Sequence, residues 1–142
     1  MTKPIFTQIY DQTFRQNFLW VRASTSKQFL DLLETKVPNI RSITDEEDSE
    51  ADGESLTLEI DGTKVICLWF NIRNHETIAH EVLHAVFQTM RSRNITLSED
   101  SEETFCYLLS FLYGKILETL ANERKLSRKA IDKPKKSVII KK

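Results

Sequence analysis

Apolar and polar positions divide the chain into short strand-like and longer helix-like stretches. Residues 5–22 have strand chemistry: Phe14, Phe18 and Trp20 occupy even positions, while Leu19 and Val21 face the other way. The pattern fits one long strand or a hairpin bending near Gln16-Asn17. Thr25 with Gln28 three residues on has the form of a capping box. Phe29, Leu30, Leu32, Leu33 and Val37 then form a helical stripe, which Pro38 stops. Leu56, Leu58 and Ile60 alternate with polar residues, and Asp61-Gly62 separates this run from Lys64–Phe70. Asp-Gly between two such runs predicts a tight hairpin. The second arm, Val65 to Phe70, is apolar at successive positions, so it should be covered on both faces.

Asn74 is placed to cap a helix running to about Arg91, with Glu76 favourable in its first turn. Its predicted core face is Ile78, Ala79, Val82, Leu83, Val86 and Met90. Asn94 tolerates the left-handed conformation of a helix stop. A further helix is predicted from Ser98 to about Glu123. It is apolar nearly all round from Phe105 to Ala121, which predicts a central position. These elements make an α+β domain: a small antiparallel sheet of about three strands against three helices.

Charge alters this picture at two places. Seven acidic residues fall between Asp45 and Glu54, so residues 44–54 read as an acidic loop. Residues 124–142 hold nine basic residues against one acidic, although the net charge of all 142 residues is only −1. The expected organisation is therefore one domain over residues 1–123 and a flexible basic tail over 124–142. No apolar run approaches the roughly 18 residues of a membrane span, and no apolar block precedes a cleavage site. The expectation is a cytoplasmic protein without a membrane partner. Cys67 and Cys106 lie in apolar stretches without metal-type spacing, and read as buried thiols.

The chemistry is concentrated in His80-Glu81-Val82-Leu83-His84, an HExxH sequence. On a helix, positions i and i+4 share a face, so two imidazoles can bind one ion. Glu81 leans beside them and can reach a water at the metal without taking a ligand position. A catalytic zinc takes three protein ligands and leaves one position open. A metzincin would carry Gly at position 87 and His at position 90, where this chain has Phe87 and Met90. His75 lies about half a helical turn away from the face of His84. The third ligand is then a carboxylate of the next helix, and Glu99, Asp100, Glu102 and Glu103 compete. The stripe Glu103, Tyr107, Ser110, Gly114 has small residues that let another helix approach. The stripe Glu102, Cys106, Leu109, Tyr113 is bulkier. Glu103 is therefore favoured and Glu102 is the alternative. Glu76, one turn before His80, is a candidate partner for its second ring nitrogen. Tyr107 and His75 are candidate donors to a developing oxyanion.

The segment His80–Tyr113 resembles the small zinc metallopeptidases encoded by tailed phages and prophages. In those, HExxH is followed by a turn and a helix opening with Glu-x-x-Ala-Tyr-Leu. The corresponding residues are Asn94-Ile95-Thr96-Leu97 and Glu103-Thr104-Phe105-Cys106-Tyr107-Leu108. With the preceding helix and hairpin, the resemblance extends over about two thirds of the chain. Asn94 stands where a turn glycine is usual and Cys106 where alanine is usual. The resemblance implies a minimal gluzincin-like zincin fold, a Zn2+ cofactor held by His80, His84 and Glu103, Glu81 as general base, and a peptide or protein substrate in the host cytoplasm. The alternative is a non-catalytic phage protein with a metal-stabilised fold that binds a host or virion protein. Nucleic acid ranks last among partners, because the tail lacks aromatic residues and the body is acidic. The tail's charge is its only argument.

Overall fold

The structure, a computed structural model, describes residues 6–38, 40, 51–71 and 74–131. Its elements are β1 (Phe6–Asp11), β2 (Gln16–Arg22), α1 (Ser26–Glu34), β3 (Gly53–Ile60), β4 (Thr63–Phe70), α2 (His75–Ser92) and α3 (Glu102–Ile131). The class is α+β, as expected. The sheet has four strands in the order β1-β2-β4-β3.

Residues 6–22 form a hairpin. Its turn lies at residues 12–15, slightly before the expected bend, with Arg15 at φ 50°. The Asp11 carboxylate accepts from the Phe14 amide at 2.7 Å and so closes that turn. Asp61 and Gly62 both have positive φ, as a two-residue hairpin turn requires, and they join β3 to β4 in antiparallel register.

β2 and β4 are parallel, so the sheet is mixed rather than purely antiparallel. Parallel neighbours need a long crossover, and the segment containing α1 provides it. The placement follows from polarity. β4 is buried along most of its length, which suits an inner strand. β3 alternates buried and exposed positions, which suits an edge.

Side-chain alternation gives each sheet face its own helical cover. Phe18, Trp20, Ile66, Leu68 and Phe70 pack beneath α2 and α3. Leu19, Val21, Cys67, Trp69, Leu56 and Leu58 pack against Phe29, Leu30 and Leu33 of α1. Thr25 caps α1 by accepting from the Gln28 amide at 3.1 Å, while the Gln28 side chain accepts from the Ser24 amide.

α3 departs from its prediction in three ways. It begins at Glu102, four residues late, because Ser98 and Ser101 form a hydrogen-bonded turn. It buries one stripe, Phe105, Leu108, Leu112, Ile116 and Leu120, so it lies on the sheet rather than at the centre. It also continues to Ile131, beyond the expected end at Glu123. Cys106 falls off the buried stripe and is exposed, unlike Cys67. The acidic positions 45–50 and the tail from 132 lie outside the described residues. Among the described residues, no helix is long and apolar enough to cross a membrane.

Candidate active site

The site begins at a knot between β3 and the start of α2. The Asn71 amide donates to the Asp52 carbonyl at 2.7 Å, and the Asn74 amide to the Asn71 carbonyl at 3.0 Å. Asn74 then caps α2, its side chain accepting from the Thr77 amide. These bonds bring the first turns of α2 alongside the start of β3.

α2 directs Ile78, Val82, Ala85, Val86, Thr89 and Met90 into the protein. Ala79 and Leu83, predicted to be buried, are exposed, and Ala85 and Thr89 are buried instead. The core face is thus rotated from the predicted one by part of a turn. His80 and His84 occupy the opposite, exposed side. Their Nε2 atoms lie 3.0 Å apart with the rings nearly perpendicular at 77°. A tetrahedral zinc with Zn–N bonds of about 2.0–2.1 Å separates two nitrogen donors by roughly 3.3 Å. The imidazole pair converges a few tenths of an ångström more tightly, within hydrogen-bonding distance. Its donor set and convergence fit two positions of a zinc site.

Glu81, turned part-way round the helix from the imidazoles, lies between α2 and β3 with only 6% of its surface exposed. Burial raises its pKa above the usual carboxylate value; neighbouring His80 lowers it, and the Glu54 carboxylate raises it further. The close approach of β3 depends on Gly53. A Cβ there would meet Thr77 Cγ2 at 2.8 Å, and Glu81 Cγ and the Trp69 carbonyl oxygen at 2.9 Å. Farther along, Gln88 donates to the Ser55 carbonyl and accepts from Thr57, both at 3.0 Å, fastening α2 to this edge strand. An open cleft of about 350 Å³ results, lined by Asp52, Gly53, Glu76, Thr77, His80 and Glu81 among others.

Of the other sequence-predicted residues, Glu76 lies at this cleft and the rest lie outside it. Glu102 and Glu103 are the exposed first residues of α3. Among the described residues no three His, Cys, Asp or Glu side chains gather into a metal-ligating group. The Tyr107 hydroxyl donates to Asp11 Oδ1 at 3.3 Å and accepts from Thr13 at 3.2 Å, which places it against the β1–β2 turn. Glu76 lines the cleft but makes no hydrogen bond to an imidazole among the described residues, and His75 is exposed at the helix start. Trp69 and Phe70 are core residues.

Gly53 and Gln88 were not marked by the sequence. Gly53 lies within the acidic run and reads as loop, and Gln88 reads as a polar helix position. Their importance comes from contacts between distant segments. Comparison with family models, curated proteins and solved structures returns no match.

Proposed function

We propose that this chain is a zinc-dependent peptidase. His80 and His84 would hold the ion with a carboxylate from the first turn of α3, Glu103 or, as the alternative, Glu102. One observation carries the reading: two imidazoles converge on one side of α2, while the intervening glutamate is buried at a cleft beside an edge strand.

A bound zinc ion would polarise a peptide carbonyl and lower the pKa of a water to about 7. Glu81 would take that water's proton on its carboxylate and deliver it to the leaving nitrogen. Its position at the cleft, next in sequence to His80, favours this role. Gly53 and Gln88 would act as positioning residues, holding β3 against α2 so that the Glu81 carboxylate faces the cleft. Tyr107, held by Asp11 and Thr13, would have to leave those partners to reach a substrate oxyanion.

The second reading is a non-catalytic protein with a metal-stabilised fold that binds a host or virion protein. Elemental analysis and peptide turnover separate the two. The peptidase reading expects one zinc per chain in the wild type and in Glu81→Gln, with turnover of a casein-derived peptide library in the wild type only. Wild-type protein that takes up no zinc, or zinc-loaded protein whose slow turnover is unchanged in Glu81→Gln, would sink it.

A further inference from the structure

α3 leaves the body of the protein carrying positive charge. Glu123, partly buried, pairs with Arg22 at 2.8 Å. Beyond it, every side chain from Arg124 to Lys129 is exposed. The sequence predicts a flexible tail here, but residues up to Ile131 are helical. Helix geometry sets Arg124 one turn before Arg128, and Lys125 one turn before Lys129; the arginines continue the Leu112-Ile116-Leu120 row past the point where it is buried, and each lysine lies about 100° further round the axis. Among the described residues none of these four side chains pairs with a carboxylate.

Nothing within the described protein compensates this face. Like charges at i, i+4 spacing repel and weaken a helix. The helix dipole favours Arg128 and Lys129 in the last turn, but its effect does not extend to Arg124 and Lys125 further in. Burial does not stabilise these turns either. A polyanion would remove the repulsion.

Three polyanions can be compared. A membrane surface requires a broad apolar face, and from 124 to 129 the only apolar side chain is Leu126. An acidic polypeptide supplies charge without a fixed geometry. Phosphates match best: two arginines one turn apart present planar forks for phosphate oxygens, and two lysines add point charges. No aromatic side chain lies between 124 and 131, so neither base stacking nor base reading is provided. We infer that the basic face at the end of α3, formed by Arg124, Lys125, Arg128 and Lys129, binds the phosphate backbone of nucleic acid without sequence preference.

The face also has a defined position. Arg22 pairs with Phe70 across β2 and β4, and Phe70 pairs with Gly53 across β4 and β3. The salt bridge to Glu123 therefore sets the exit of α3 at the sheet end that carries the candidate cleft. Nucleic acid on this face would lie at that end of the molecule, whether or not the cleft is catalytic.

The test is fluorescence anisotropy of the full chain with a labelled mixed-sequence duplex of about 20 base pairs, titrated at salt concentrations from about 50 to about 200 mM. Each phosphate contact adds about 0.9 to the slope of log affinity against log salt. Four contacts therefore predict a slope about 3–4 steeper in the wild type than in Arg124→Gln/Lys125→Gln/Arg128→Gln/Lys129→Gln, on the order of a hundredfold in affinity over that salt range. The double variant Arg128→Gln/Lys129→Gln should lose about half of this difference. It serves as the readout if circular dichroism finds the quadruple variant unfolded. Equal slopes in wild type and folded variants, or no binding at low salt, would overturn the inference. So would displacement of the duplex by polyglutamate as readily as by unlabelled duplex at equal charge. Capture of the wild type by anionic vesicles but not by duplex would overturn it too.

Discussion

Glu81 has a stability cost built into its position. A carboxylate with 6% exposure and a raised pKa is harder to ionise in the folded chain than in the unfolded one. Its contribution to stability is full below the unfolded pKa and is lost as pH rises through the elevated folded value. In the metal-free protein, Glu81→Gln should therefore raise Tm at neutral pH, with the gain shrinking towards about pH 4. Scanning calorimetry of both forms across that range checks the sign, and a gain that grows on acidification would contradict it. Gly53→Ala should act in the opposite direction. The added methyl meets the Trp69 carbonyl as well as two side chains, and the backbone contact cannot rotate away. A cost of about 1–3 kcal/mol and a drop in Tm of roughly 3–10 °C are expected in thermal melts. The thiols differ as sharply. Burial pushes Cys67 up to about 12, while Cys106 is exposed. A thiol-disulfide colour assay should find one rapidly reacting group in the folded chain and two in denaturant.

At the scale of elements, local signals located the β3–β4 turn, the Asn74 cap and the Asn94 stop, because each depends on backbone chemistry within a few residues. The faces of the long helices were harder to read. In α3, apolar residues surround the axis, so periodicity does not select the buried stripe. Packing on the sheet selects Phe105, Leu108, Leu112, Ile116 and Leu120, and leaves Leu117 and Tyr107 largely exposed. Gly114 belongs to the outer side, with nothing within 4 Å of an added Cβ. In a helix interior, alanine is favoured over glycine. Gly114→Ala should therefore stabilise the protein by about 0.5–1 kcal/mol, measured as an increased urea midpoint with unchanged slope. A loss of stability would mean that the outer side of α3 is covered in solution.

For the whole molecule, the sheet lies between α1 on one face and α2 with α3 on the other, and the cleft opens where β3 passes the start of α2. A ligand that binds only the folded state raises Tm by mass action. Zinc should therefore raise the Tm of the wild type, and the shift should shrink strongly in His84→Ala. Glu103→Ala and Glu102→Ala should differ from one another, the larger loss marking the carboxylate that completes the site. An equal, undiminished shift in both variants would exclude both from the ligand set. The amino-acid sequence by itself determined the α+β class, the hairpin turn, the two-faced burial of Val65–Phe70 and the HExxH pair, since all follow from side-chain period and short spacing. Only the tertiary structure decided that β4 runs parallel beside β2, that Glu81 is buried beneath an edge strand held close by Gly53 and Gln88, and that α3 carries its basic residues past the body as a helix. Those features come from contacts between segments far apart in the chain, where local periodicity has no influence.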